Sequence, residues 1–481
     1  MQQEMELQQI IYNLLKIQIT FGGYRFEDSL PTIREASSYF NVSIDTVRLA
    51  YVRLKQEGYI SLSTCVGASV SVNYSDEEIQ QHIRTYFACR REPLLSFARA
   101  VGVLVNYAQW FAFRSSTPES LEEMERICQN QEIPPIFRMS RQIQLLYAHL
   151  GNDILLNLMW QLFLFFQVPF ISVPQNSGMY HSGDTPLLSM IAHIRKEDWL
   201  GLWEAGEAYL EKYAAALDRF FEDNPEISDQ GEPIEFTWNT YKKVSQYRYS
   251  LCTEIMTKIR NRIYSPGSYL PSPRLLARDY QVSVNTIRRT LTLLNKLGAT
   301  RTVNGVGTLV LHSWENAQYC DYSDPVIRAR LLDFLQSFHI LALSCRSCAR
   351  ASLSSMDEET MRQWADRFDA VKQTEICEQI LYLCYEIITV HTPWQLIRTI
   401  YTELMQQLFW GLPLRDLHGD SSATKAYFLP YIEILADCLR RGDGRDFSEN
   451  LEKLQINETF YIAQYLKNIG IEEAAAIVIP E

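Results

Sequence analysis

Two stretches of this 481-residue chain place arginines, hydroxyls and amides at matching spacings. The first is LPTIREASSYFNVSIDTVRLA (30–50) and the second is LPSPRLLARDYQVSVNTIRRT (270–290). A guanidinium presents a planar fork of donors that matches a phosphate, or the O6/N7 edge of guanine. Asn285, Thr286, Arg288 and Arg289 crowd the start of one amphipathic segment, and Asp45, Thr46 and Arg48 hold the matching places 240 positions earlier. Such a group suits contact with a nucleic acid. A single arginine on a helix is ordinarily just solvated, so Arg289 alone says little, whereas Arg274 and Arg288 gain from their joint placement.

The elements needed to position these groups can be read around them. In the second copy, residues 247–264 have apolar residues at helical spacing and run out at Pro266-Gly267. Ser272 is a suitable N-cap for a second helix, Pro273 suits its first position, and Leu275 and Leu276 are expected to face inward. Ser283 caps a third helix whose Ile287, Leu291 and Leu294 share one face, and Gly298 closes it. ATRTVNGVGTLVL then alternates as two short strands about Asn304-Gly305, and Gly307 allows close approach to a partner. Helix, helix, helix, hairpin is the order of a winged helix-turn-helix, whose third helix enters the major groove.

The correspondence at offset 240 needs no gap from Leu30-Pro31 to Val70, and it includes Arg34/Arg274, Arg48/Arg288, Gly58/Gly298 and Gly67/Gly307. It continues faintly beyond: LFLFFQVP (162–169) resembles QQLFWGLP (406–413), and LLSMIAHIRKED (187–198) resembles IEILADCLRRGD (432–443). The chain thus reads as a tandem duplication, each half a small reader followed by a larger helical module. The expected organisation is a reader over 1–75, a helical domain over 76–221, an exposed acidic linker over 222–239, a second reader over 240–312 and a second helical domain over 313–481. The expected fold class is mainly α, two small winged helix-turn-helix domains each followed by an all-helical bundle.

The repeated stretch resembles the GntR family of bacterial transcription regulators, whose DNA-binding domains run LPSeReLA, then VSRtTVReAL, then a glycine-rich wing. The resemblance covers about 60 residues in each half. It implies that Ser272 and Arg274 contact DNA at the start of the second helix, Thr286 and Arg288 from the recognition helix, and Gly305 and Gly307 from the wing. In the first copy Thr32, Arg34, Thr46, Arg48 and Gly67 take those places. Two departures stand out. Where the family has arginine after Val-Ser, this chain has Ile44 and Val284, so the operator sequence does not carry over. Thr64-Cys65 replaces the Asn304-Gly305 turn, which weakens the case for groove approach by the first wing.

Overall charge is −12, which at first sight excludes nucleic acid as a partner. Domain by domain that exclusion fails. Residues 19–72 carry five cations and five acids, whereas 258–312 carry nine cations against Asp279 alone. The second reader is therefore expected to dominate binding, because each phosphate neutralised adds affinity through counterion release. Asp45 would repel phosphate, although a carboxylate there can accept from a cytosine amino group.

Other chemistry is sparse. Ten cysteines are scattered and no apolar leader opens the chain, so a reducing, cytoplasmic setting is expected. Cys345 and Cys348 have the spacing of half a zinc site, but no second pair accompanies them. Helical effector domains related to this family often bind metal through Asp and three His; here His149, His181 and His193 have no matching set in the second half. No cofactor, catalytic set or metal site is expected. The uncharged run 154–173 is long enough to span a bilayer but is interrupted by Asn157, Gln161 and Gln167, so a core helix is expected and no membrane partner. The expected partners are double-stranded DNA, with an operator that need not be palindromic, and a small-molecule effector in the helical domains. The duplication suggests an intramolecular pseudo-dimer, and leaves open a homodimer of such chains. The rival reading is a ligand-sensing or interaction scaffold whose first reader no longer binds DNA.

Overall fold

The computed structural model describes residues 2–63, 67–176, 186–227, 231–238, 247–260, 262–312, 319–374 and 376–480. The Thr64-Cys65 turn and His181 lie outside them. The chain divides into two compact units, Met1–Phe236 with Trp394–Leu396, and Thr237–Pro393 with Ile397–Glu481.

The first unit opens with α1 (Gln2–Thr20), α2 (Ile33–Phe40) and α3 (Ile44–Gln56), followed by an antiparallel hairpin of β1 (Ile60–Ser63) and β2 (Gly67–Val70). Local chemistry dictates each boundary. Thr32 and Glu35 form a reciprocal capping box at α2, each side chain accepting from the other's backbone N–H at 3.2 and 2.7 Å. Asn41 takes the left-handed conformation that ends α2, and Ser43 caps α3. A helical module follows: α4 (Asp76–Ala88), α5 (Arg91–Arg114), α6 (Pro118–Gln129), α7 (Pro135–Ala148), α8 (Asp153–Leu162), α9 (Val168–Ser172), α10 (Pro186–Arg195) and α11 (Trp199–Asp223). A π-helical turn, Phe163–Gln167, joins α8 to α9. This continuous run is the one described stretch long and apolar enough to cross a membrane, yet 72% of it is buried inside the protein, as a core helix should be.

The second unit repeats the order: α12 (Tyr247–Arg260), α13 (Pro273–Asp279), α14 (Val284–Lys296), then β3 (Thr300–Val303) paired with β4 (Gly307–Val310). Its helical module comprises α15 (Pro325–Ala342), α16 (Cys345–Leu353), α17 (Glu358–Val371), α18 (Gln379–His391), α19 (Gln395–Gln407), α20 (Ser421–Arg441) and α21 (Gly444–Asn468). The fold is mainly α, with two hairpin wings as its only described sheets.

Two expectations need correction. Leu276 is buried but Leu275 is exposed, because adjacent residues on a helix lie about 100° apart and the seven-residue α13 has only one inward face. The stretch 222–239 is not a fully exposed linker. Ile227 and Phe236 are buried, the Phe236 ring packs on Phe97 and Phe165 at 5.9 and 5.4 Å, and the Ile234 N–H donates to the Cys89 carbonyl at 2.8 Å. Its acidic composition hid two apolar anchors.

The Cys345/Cys348 pair is wholly buried on α16, and burial pushes the Cys348 thiol up to about 12. That environment disfavours the thiolate that metal or redox chemistry needs. Among the described residues no group of three or more His, Cys, Asp or Glu side chains could hold a metal ion.

Candidate nucleic-acid interface

Both readers build their third helix by the same local device. Ser283 accepts from the Thr286 N–H at 3.0 Å, and the two hydroxyls are 2.8 Å apart. Ser43 and Thr46 reproduce this at 3.1 and 2.8 Å. The preceding turns also match: Asn41 and Gln281 have φ of 52° and 53°, and Val42 and Val282 each donate back into the second helix. In the second reader Ser272 caps α13, Pro273 starts it, and Gly298 follows α14 with φ +78°. Ile287, Leu291 and Leu294 are buried against the domain interior. Asn285, Arg288 and Arg289, spaced i, i+3 and i+4, are therefore left together on the exposed face.

The wings differ in what can be described. In the second, Asn304, Gly305 and Val306 form the loop between β3 and β4, and the Val306 N–H closes it on the Val303 carbonyl at 3.1 Å. Gly305 sits at φ +75° with open space where a side chain would be, so its backbone can approach a ligand closely. Gly307 opens β4, where an added Cβ would meet the Tyr269 ring at 3.2 Å. Gly67, at φ +86°, opens β2 in the first wing.

Electrostatics separates the two readers more sharply than cation counts do. In the first, Arg48 is ion-paired with Asp45 one turn away. Arg25 pairs with Asp76 at 2.8 Å, and Arg53 and Lys16 both reach Glu57, at 3.1 and 3.4 Å. Within 19–72, Arg34 and Lys55 alone among the described cations lack a described side-chain partner. The second reader also spends cations on its own structure. Lys258 pairs with Glu254 and donates to Tyr280, Arg278 pairs with Asp279, and Lys296 pairs with Asp324. Yet Arg262, Arg274, Arg288 and Arg289 are all exposed with no described side-chain partner.

The positions expected to touch DNA are thus distributed as follows. Thr32, Arg34, Asp45, Arg48, Ser272, Arg274, Ser283, Asn285, Arg288, Arg289, Asn304 and Gly305 are exposed. Thr286 is half-buried, and Thr46 is 2% exposed with its hydroxyl turned to Ser43, so its role in this structure is to hold the helix start. One reading-face residue escaped the sequence reading. Leu49, 52% exposed, occupies the place of Arg289, and with Ile44 at 42% it makes the first face partly apolar. The i, i+3 spacing of Asp45 and Arg48 was the available signal for their pairing.

Three helices followed by a hairpin wing make a winged helix-turn-helix domain, present here twice, and the second copy has the cationic face on its third helix. The family model described as bacterial regulatory proteins, gntR family, matches residues 7–70 and again 250–310. The chain thus carries the GntR-family DNA-binding domain twice, once in each half. No curated protein matches the chain in sequence. A solved structure described as "Lar controls the expression of the Listeria monocytogenes agr system and mediates virulence" is 13% identical, with 47% of this chain and 99% of that one covered, at a TM-score of 0.23. A Streptococcus agalactiae GntR structure is 14% identical, with coverage of 44% and 99% and a TM-score of 0.20.

Proposed function

We propose that this chain is a cytoplasmic transcription regulator that presents two unequal readers to one double-stranded operator, the second supplying most of the affinity. The observation that carries this reading is the contrast on the third helices. Arg288 and Arg289 are unpaired, whereas Arg48 is neutralised by Asp45 and Leu49 stands in place of the second arginine. A family dimer reads two half-sites with two chains, and a duplicated chain can read both as a pseudo-dimer. Its half-sites then need not match, and the operator is non-palindromic. Base and phosphate contacts are assigned to Arg274, Arg288 and the wing at Gly305, with Arg34 as the first reader's main contribution. A small-molecule effector in a helical module modulates binding, and the chain catalyses no reaction.

Selection of bound DNA from a random pool with the full-length chain tests this directly. Two dissimilar half-sites are expected. A perfectly palindromic site, together with equal losses from Arg34→Ala and Arg274→Ala, would overturn the asymmetric reading. The rival, in which the first reader has ceased to bind DNA, is favoured by the Asp45–Arg48 pair. It predicts a single selected half-site.

A further inference from the structure

The helical module of the first unit is not filled. A cavity of about 180 Å³ lies among α5, α7, the α8–α9 run, α10 and α11. Its walls are mostly rings and aliphatic chains, among them Phe97, Phe113, Phe163 and Phe166. One formal charge faces it among the described lining residues, Arg138 of α7, and no carboxylate does. Arg138 is only 6% exposed. Its Nη1 donates to the Cys128 and Asn130 carbonyls at 3.2 and 3.4 Å, the trailing end of α6. A guanidinium carries five N–H donors, so these bonds leave others unused. Two glutamines on the wall have weak acceptors as partners: Gln142 donates to the Cys128 sulfur at 3.0 Å and Gln109 to the Met190 sulfur at 3.7 Å. The cavity therefore combines one buried cation with an apolar body.

We propose that this cavity binds a small monocarboxylate with an aromatic or short aliphatic body, its carboxylate held by Arg138 and its body by the phenylalanine walls. Burying a cation without a counter-ion is costly, and a carboxylate accepting two parallel N–H bonds offsets that cost. Burial already lowers the Arg138 pKa from its ordinary value, the direction expected of a cation short of a partner. Size sets the rest: a cavity of roughly 150 Å³ accepts benzene, so this one accepts a ring with a short acid tail. A phosphate dianion would need more cationic groups than the wall provides.

The same helix carries the consequence to the first reader. Phe137, next to Arg138, packs on Tyr39 and Phe40 of α2, with ring centroids 5.2 and 5.6 Å apart. Trp160 makes a second link, touching Phe40 at 6.1 Å and the cavity wall at Phe163 at 6.0 Å. Drawing Arg138 toward a carboxylate shifts this turn of α7, and α2 with it. The ligand site stands on the cavity alone; the coupling also rests on the chain being a DNA-binding regulator.

The test uses the full chain and a panel of phenylacetate, 3-phenylpropanoate, hexanoate and octanoate, with 3-phenylpropanol as the uncharged control. Calorimetry should show at least one acid binding about tenfold or more tighter than the alcohol, and Arg138→Gln should abolish that preference while retaining the alcohol. Val105→Phe, which narrows the cavity and leaves the arginine, should weaken acid and alcohol alike. Thermal unfolding reports whether each variant folds. No binding by any acid, or a preference that survives Arg138→Gln, would overturn the site. An Arg138-dependent ligand that leaves first-half-site protection unchanged would overturn the coupling only. Ligand binding by a chain that protects no DNA would instead count against the regulator reading.

Discussion

Phe40 and Tyr280 occupy the same place in the two readers and are used in opposite ways. Phe40 ends α2 fully buried, with its ring against Phe137 and Trp160 of the helical module. Tyr280 is half-buried, and its hydroxyl accepts from Lys258 of its own domain at 2.9 Å. The first reader is thus fastened to its helical module through the very helix that precedes the recognition helix, and it shows a neutralised reading face. The second keeps that residue for internal bonding and leaves four exposed arginines with no described side-chain partner. The first reader's second helix is packed on α7, the helix that walls the cavity.

The helical modules differ in the same spirit. In the second, buried polar groups satisfy one another: Gln455 accepts from Tyr385 and donates to the Phe338 carbonyl at 3.0 Å, and Ser344 and Tyr401 lie 2.9 Å apart. Such a network helps specify one packing. The first module has a cavity and a π-helical turn beside it, a distortion frequent at functional sites.

The largest expected effect tests the anchoring contrast. Phe40→Ala should cost about 3–5 kcal/mol of first-unit stability, the usual loss for a buried aromatic. Tyr280→Ala should cost clearly less in its own unit, and urea unfolding of both variants compares them. Similar losses would erase the distinction. Next, Arg288→Ala should reduce operator affinity by about 1–3 kcal/mol, and Arg48→Ala by well under 1 kcal/mol, in titrations at fixed salt. The caps should behave alike, since they are built alike: Ser43→Ala and Ser283→Ala should each cost about 1 kcal/mol of stability. Smallest is a gain. Leu49→Arg should steepen the salt dependence of binding by about 0.9 per phosphate newly met, and adding Asp45→Asn, which frees Arg48, should steepen it further. A slope unchanged by both would mean that the first face does not meet phosphate.

What could be read along the chain was local. The capping serines, the turns at Asn41 and Gln281, Gly298 after its helix and the Gly305 wing all depend on hydrogen bonds between residues a few positions apart. Their signatures therefore survive in linear order, and repetition at offset 240 doubled the signal. Charge asymmetry was equally readable as composition. Leu275, Phe236 and Leu49 were not, because which side of an element meets its neighbour depends on packing that composition does not encode. Arg138 shows the limit most clearly. An arginine on a helix is unremarkable in sequence, and its interest lies in having no acid beside it in an apolar cavity. By itself the sequence determined two winged readers of unequal charge, since short-range bonding dictates both. Only the tertiary structure decided which reader's second helix packs on its helical module and where the interior of the first module stays open, because partners distant in the chain settle both.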